Sequence, residues 1–367
     1  MSTRSKNIVR YENFKDVVDI KRGERITKKD LIENGKYLVI SGGQNPFGYY
    51  DKFNRDKNTI TIAQYGTAGF VNWQNEKFWA NDVCYSLFPT KKLNNRFLYH
   101  YLLSRQDFIY SLVNKNAIPS HLKQSELEKI KVPVPSLKLQ RFIAEVLDKF
   151  SELTAELTAE LTAELELRKQ QYQYYLKKVF DFKNVEYKYL YQIIELKTAS
   201  NYLTKKDYIS DAQYDVITSA IKPAGKYNLF NEEENQITIT KDATCGFVAW
   251  QNQKFWLAAG AFVVKHKNDF KINMKYLYYY LKNIQTDIES LKIGSPIAHL
   301  YKKHLYQLKI PVPSSEQQDR IVKILDTFST LVNDLEQGIP AEIKLRQQQY
   351  EYYRNLLLSF TEEDEND

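Results

Sequence analysis

The sequence predicts an α+β protein in which two mixed α/β domains alternate with two long helices. The helices are expected to pair as an antiparallel coiled coil, and the whole to form a pseudo-twofold internal repeat. Three observations predict this. The chain can be laid on itself at an offset of about 177 residues. Each copy ends in a long stretch with one apolar face at helical spacing. Basic residues gather outside those stretches.

At an offset of 177, Thr27-Lys28-Lys29-Asp30 meets Thr204-Lys205-Lys206-Asp207, and Ile60-Thr61-Ile62 meets Ile237-Thr238-Ile239. Gly69-Phe70-Val71 meets Gly246-Phe247-Val248, Trp73-Gln74-Asn75 meets Trp250-Gln251-Asn252, and Phe78-Trp79 meets Phe255-Trp256. One residue later in phase, Val132-Pro133-Val134-Pro135 meets Ile310-Pro311-Val312-Pro313. Leu147-Asp148 meets Leu325-Asp326, and Gln171-Tyr172 with Tyr174-Tyr175 meets Gln349-Tyr350 with Tyr352-Tyr353. So many identities in order make this a domain duplication, and a period this long excludes a solenoid of short repeats.

The first globular part spans residues 1–135 and the second 183–313. In the first, residues 57–62 alternate apolar and polar, Gly66 and Gly69 punctuate, and Phe70-Val71 resumes, which predicts a strand, a tight loop and a strand. Residues 95–113 and 273–291 carry Leu, Tyr and Phe at helical spacing. Each part closes on paired prolines, which remove donors and favour extended backbone leading into a linker.

The helical parts span 136–182 and 314–367. Ser136 opens the first, and Ser314 and Ser315 stand three residues before Gln317 and Gln318, a helix-start signature. Phe142, Ile143, Val146, Leu147, Phe150 and Leu153 mark one face of a helix reaching about Phe180. A helix so long needs a partner for its stripe, and its own copy is the economical choice. Within it, Thr154-Ala155-Glu156-Leu157 recurs at 158–161 and 162–165; at ~3.6 residues per turn the leucine stripe drifts about 40° per repeat. In the second helix Gly338 and Pro340 predict an interruption, with Pro340 near a first helical position.

Charge divides along the same boundaries. Residues 1–135 hold 22 Lys+Arg against 13 Asp+Glu, and 183–313 hold 18 against 12; the helical parts hold 7 against 8 and 5 against 12. Two basic lobes on neutral or acidic rods suit a polyanion gripped at two places, although a solvated basic face would read the same way. The last residues, Thr361 to Asp367, read as a solvated acidic tail. Mean hydropathy is −0.53, no apolar run approaches the ~18 residues of a membrane span, and the first 14 residues carry no signal-peptide core. Cys84 and Cys245 form no C-x-x-C, which suits a reduced, cytoplasmic protein.

Catalytic motifs are missing. The sequence holds no phosphate-binding loop, no G-x-G-x-x-G after a strand, and no zinc spacing among its five histidines. Asn45-Pro46-Phe47 lacks the second proline of the Asn-Pro-Pro-Phe motif of adenine methyltransferases and reads as a turn.

The segment Asn116-Ala117-Ile118-Pro119-Ser120-His121-Leu122, then Val132-Pro133-Val134-Pro135, then Gln140, Ile143 and Val146-Leu147-Asp148, resembles the end of a target-recognition domain running into the spacer helix of type I restriction-modification specificity subunits. Gly338 to Ile343 with Arg346, Gln349-Tyr350 and Tyr352-Tyr353 resembles that family's second spacer, and the Thr-Ala-Glu-Leu units resemble its spacer-length repeat. The family's usual Glu-Gln before the first helix stands here as Leu139-Gln140, which predicts a lost helix-start contact. The resemblance implies two target-recognition domains, each reading a few base pairs of double-stranded DNA, and helices that fix the gap between the two blocks. It also implies two methyltransferase subunits and restriction subunits as partners, with S-adenosylmethionine, ATP and Mg used by those partners and no cofactor in this chain.

The DNA-reading candidates are the loop with Ser41, Gly43, Gln44 and Asn45, and the hairpin tip with Gln64, Tyr65 and Thr67. Their counterparts are Thr218, Ser219 and Lys222, then Lys241 and Thr244. Gln and Asn suit adenine, and Lys suits guanine or phosphate; plain turn chemistry would use the same residues. His121 and His299 correspond between the copies, and a duplicated structural turn competes with a DNA contact. Trp73, Phe78, Trp79 and their copies read as core in preference to base-stacking groups. Two other function classes fit the chain less well: a two-lobed nucleic-acid-binding scaffold, and a methyltransferase or nuclease with unrecognised motifs.

Overall fold

The computed structural model describes residues 8–199, 203–267, 270–294, 298–333 and 338–362. The first seven residues, Ile297 and the acidic segment 363–367 lie outside them. The chain forms two compact units, and neither is a contiguous half: one is Met1–Glu160 with Ile343–Asp367, the other Leu161–Glu342.

The first copy runs β1 (Ile8–Val9), β2 (Tyr11–Asn13), α1 (Phe14–Val17), β3 (Val18–Arg22), β4 (Tyr37–Ile40), β5 (Gly48–Tyr50), β6 (Thr59–Ala63), β7 (Val71–Gln74), β8 (Phe78–Ala80) and β9 (Cys84–Pro89). Then come α2 (Asn95–Ser104), α3 (Gln106–Ser111), α4 (Gln124–Leu127), β10 (Lys131–Pro133) and the 42-residue helix α5 (Leu137–Lys178). The second copy repeats the order with β11 (Glu186–Tyr189), α6 (Leu190–Ile193), β12 (Ile194–Thr198), β13 (Tyr214–Ile217), β14 (Gly225–Tyr227), β15 (Gln236–Thr240), β16 (Val248–Gln251), β17 (Phe255–Leu257) and β18 (Ala261–His266). It continues through α7 (Met274–Asn283), α8 (Gln285–Ser290), α9 (Lys302–Leu305), β19 (Lys309–Val312), α10 (Ser315–Asn333), α11 (Ile339–Leu357) and β20 (Thr361–Glu362).

In the first unit a four-stranded sheet, β3-β9-β6-β7, stands beside a three-stranded one, β5-β4-β8. Strand β6 shows why. Its alternation sends Ile60 and Ile62 into the main core with Phe14, Phe97, Leu98 and Leu102, so Thr59, Thr61 and Ala63 fall on the opposite face. Each such isoleucine contributes about 1.5–3 kcal/mol by leaving water. The second unit repeats this with β12-β18-β15-β16 and β14-β13-β17, and Ile237 and Ile239 meet Leu190, Tyr276, Leu277 and Leu281.

The first proline of each pair lies in a short two-stranded sheet, where a missing donor costs little. Pro133 stands opposite Tyr11 and Pro311 opposite Tyr187. Directly after them the helices start: the backbone N–H of Leu139 donates to Ser136 Oγ, and that of Gln317 to Ser314 Oγ, both at 3.3 Å. The backbone half of the helix-start motif persists at Leu139, while its apolar side chain has no acceptor to return to Ser136, in line with the contact expected to be lost there.

Each spine helix has two owners. In the first unit the start of α5 brings Ile143 and Leu147 to the core, and Leu358 after α11 joins them; Phe150 stacks on Tyr353 at 5.7 Å and Ser151 Oγ donates to Tyr350 Oη at 2.8 Å. In the second unit Ile321 and Leu325 of α10 share the core with Tyr172 and Leu176 from the end of α5 and with Phe180 just beyond it, and Tyr175 stacks on Phe328 at 5.1 Å. The first half of α5 therefore meets α11 and its second half meets α10, an antiparallel order. Gly338 stands at a bend outside any helix, α11 starts at Ile339 and Pro340 is its second residue, as Gly338 and Pro340 predict. Strand β20 closes the first unit by pairing in parallel with β1, Thr361 opposite Ile8.

Candidate nucleic-acid interface

In the first unit three loops converge. The hairpin tip between β6 and β7 is pinned where the backbone N–H of Gln64 donates to Val83 O at 2.9 Å and Gln64 O accepts from Leu122 N at 2.9 Å. Thr67 reaches across to the loop after β4, donating to Gly42 O from its backbone N–H at 2.8 Å and from Oγ1 at 2.9 Å. Gly66 has φ +71°, and a Cβ there would stand 2.6 Å from Gly42 O, so the close approach and the positive φ both require glycine. On the other flank His121 bridges to Tyr65 and stacks on its ring at 5.6 Å. The loops at 41–45, 64–67 and 114–121 thus form one continuous rim.

Along that rim Gly43, Gln44 and Asn45 are exposed, and Ser41, Tyr65, Thr67 and His121 are half-buried. Gln64 is placed otherwise: it is 4% exposed, and its Oε1 finds no partner among the described residues. Its side chain turns inward and offers no amide at the surface. Behind the loop, Ser41, Gln44 and Asn45 roof a cavity of about 180 Å³ whose floor includes Thr61, Asn72 and Gln74.

The second unit builds the same rim from different groups. Lys241 N donates to Gly260 O at 2.8 Å, and Leu300 N to Lys241 O at 2.7 Å. Thr244 Oγ1 donates to Ser219 O, joining tip to loop as Thr67 does. Thr218, Ser219, Lys241, Thr244 and His299 are half-buried, and Lys222 is exposed. His299 Nδ1 meets Asp242 Oδ1 at 2.6 Å, and Lys241 Nζ lies 3.8 Å from the other oxygen of that carboxylate. Asp242 escapes sequence reasoning because an acid is not sought on a surface that meets phosphate; its alignment with Tyr65 is the signal that could have found it.

The aromatic residues between the sheets and helices are scaffold. Phe78 is buried, Trp73 lies under the Arg96 guanidinium at 4.5 Å, and Trp250 lies under Lys275 at 4.3 Å. Trp79 donates its indole N–H to Glu24 O at 2.9 Å. Two motif glutamines named in the sequence, Gln140 and Gln318, are buried, and the structure shows what they hold. Gln140 Oε1 accepts from Asn94 N at 2.7 Å while its Nε2 donates to Lys92 O and Pro135 O. Gln318 does the same for Asn273 N and Pro313 O. Each glutamine bolts a spine helix to the start of a domain helix.

Burial pushes the Cys84 thiol up to about 12, and burial followed by the nearby Asp242 raises that of Cys245, so neither offers a thiolate nucleophile at neutral pH. Among the described residues no group of three His, Cys, Asp or Glu could hold a metal ion, and no helix is long and apolar enough to cross a membrane.

A profile of the type I restriction modification DNA specificity domain matches residues 10–167 and, a second time, 182–345. The chain belongs to this family of specificity subunits. A putative type I restriction enzyme specificity subunit of Haemophilus influenzae is 31% identical over 380 residues, covering 96% of each chain. A type I restriction enzyme specificity subunit of Escherichia coli is 33% identical over 290 residues, covering 67% of this chain and 69% of that one. The fold is that of the type I restriction-modification S subunit from M. genitalium, with a TM-score of 0.59 at 22% identity over 98% of both chains. As a specificity subunit the chain is a DNA-recognition component and not a catalytic one, in keeping with the missing catalytic motifs.

Proposed function

We propose that this specificity subunit reads a split DNA target, one short block with each three-loop rim, and directs partner subunits to methylate an adenine in each block. The observation that carries the reading is the duplicated rim: one scaffold presents Gln44, Asn45 and Tyr65 in one unit and Lys222, Lys241 and Thr244 in the other. A shared frame with different exposed groups is what two different base sequences require, since the major groove distinguishes all four base pairs by donor and acceptor pattern. The basic lobes supply sequence-independent attraction to phosphate.

Two methyltransferase subunits bring S-adenosylmethionine and restriction subunits bring ATP and Mg, in the cytoplasm, while this chain holds no cofactor. The Thr-Ala-Glu-Leu units in α5 act as a ruler, each adding four residues or about 6 Å of helix. The test is to map N6-methyladenine across the native genome with and without this gene. Loss at one motif of two blocks around a fixed gap supports the reading, and deleting one Thr-Ala-Glu-Leu unit is expected to shorten the gap and leave both blocks unchanged. An unaltered methylation map from an expressed, assembled complex sinks it.

A further inference from the structure

The loop at 114–121 is pinned at its base and open at its tip. Asn114 N donates to His121 O at 2.9 Å, and His121 N donates back to Asn114 O at 3.4 Å. Asn116 N donates to Asn114 Oδ1 at 3.0 Å, turning the chain. Leu122 is fully buried, and its carbonyl accepts from Tyr85 Oη at 3.3 Å. From this fixed base Ile118 projects with 102% relative exposure, more than any other large apolar side chain among the described residues.

Along the loop the one other exposed apolar residue is Pro119, too little for a protein-docking patch. Asn114, Lys115, Asn116 and Pro119 are all exposed, and a protein interface needs a contiguous apolar area of a few hundred Å². A single branched side chain on a cationic, amide-rich tip fits a different surface. The apolar feature of the DNA major groove is the C5-methyl group of thymine, which small apolar side chains contact, and Lys115 is placed to meet phosphate.

We propose that Ile118 is a specificity-determining residue that reads a thymine C5-methyl group in the block recognised by the first unit. The inference rests on the reading that the three-loop rim faces the major groove. It adds an apolar reader to the polar candidates on the two neighbouring loops. Every block that contains a target adenine also contains a thymine opposite it, so the ligand group is present in the DNA the complex meets.

The test uses the full chain assembled with its methyltransferase subunits and a duplex carrying the mapped motif. Each thymine of the first block is replaced in turn by uracil, which pairs identically and lacks the methyl group. The wild-type complex is expected to lose roughly fourfold in affinity at one position, the value of one buried methyl group. Ile118→Ala is expected to lose a similar factor on the thymine duplex and to bind thymine and uracil alike there. Because Ile118 touches no core, the variant should melt as the wild type does. Equal uracil responses in both proteins at every position overturn the inference. Gln44→Ala and Asn45→Ala separate the two failures: if they relax the first block while Ile118→Ala does not, only Ile118 is misassigned, and if none of the three alters it, the rim reading falls as well.

Discussion

Asp148 on α5 and Asp326 on α10 occupy the same place in the two units and hold different partners. Asp148 Oδ1 accepts from Arg96 Nε at 2.5 Å and contacts His100 Nε2 at 2.7 Å. Asp326 Oδ1 accepts from Tyr279 Oη and lies 3.6 Å from Lys275 Nζ. A few residues away, Gln140 and Gln318 make the same contacts in both units. The difference follows from what each side chain satisfies. The glutamines serve backbone N–H and C=O groups, which every sequence presents identically, and a buried backbone group without a partner is costly. The aspartates serve side chains, which can be exchanged as a set provided a donor remains.

The largest break in that comparison should come at the glutamines. Gln140→Leu leaves Asn94 N, Lys92 O and Pro135 O without their partner, and Gln318→Leu leaves Asn273 N and Pro313 O. At about 1–3 kcal/mol for each buried unsatisfied group, both variants should lose about 3 kcal/mol or more, with Gln140→Leu the worse. Hydrogen exchange resolves the two units: amides of α2 should lose protection in the first variant and those of α7 in the second. If either variant unfolds as the wild type does, the bolt is decorative.

A second contrast lies at the tips. Gly66 with φ +71° corresponds to Ala243 with φ +51°. Where the first unit sets Gly42 beside Val83, the second sets Ser219 beside Gly260, at which a Cβ would stand 2.8 Å from Ser219 Cβ. The small residue has changed sides, and the backbone around Ala243 carries the strain. Ala243→Gly is expected to stabilise the second unit by roughly 1 kcal/mol, the cost of a left-handed non-glycine residue. Gly66→Ala should destabilise the first by more, because Gly42 O also obstructs it. Chemical denaturation of the two variants checks the opposite signs; a shared sign would show that the tips are not equivalent.

Much of this was legible in the sequence. The repeat marked both sheets and both spines, since Ile60-Thr61-Ile62 and Ile237-Thr238-Ile239 alternate for the same reason, and Gly338 with Pro340 marked the interruption of the second helix. Two things were not. The antiparallel pairing of the helices was expected, but which rings meet, Tyr353 on Phe150 and Tyr175 on Phe328, depends on closure in three dimensions and leaves no local periodicity. The inward turn of Gln64 depends on Val83 and Leu122, which hold its backbone from distant parts of the chain. Turn composition located the loops that converge, and only tertiary bonds decide which of their side chains face outward.

The smallest effect expected is also the one most specific to the aspartate contrast. Burial, reinforced by Arg96 and Arg354, lowers the pKa of His100 below its usual value of 6.5, and the bond to Asp148 opposes this without overcoming it. The native state therefore binds a proton at His100 less readily than the unfolded chain does. The stability this contributes is complete above pH 6.5 and is lost as the pH falls through the native pKa. Position 279 in the second unit is Tyr, whose phenol burial pushes upward, so it stays neutral across this window. Acidification from pH 7 to 5 should weaken hydrogen-exchange protection in α2 before α7. His100→Tyr, which copies the second unit, should remove the difference. Should α2 and α7 lose protection together in the wild type, the acid response lies elsewhere, and the exchange of Arg96 and His100 for Lys275 and Tyr279 is neutral toward pH.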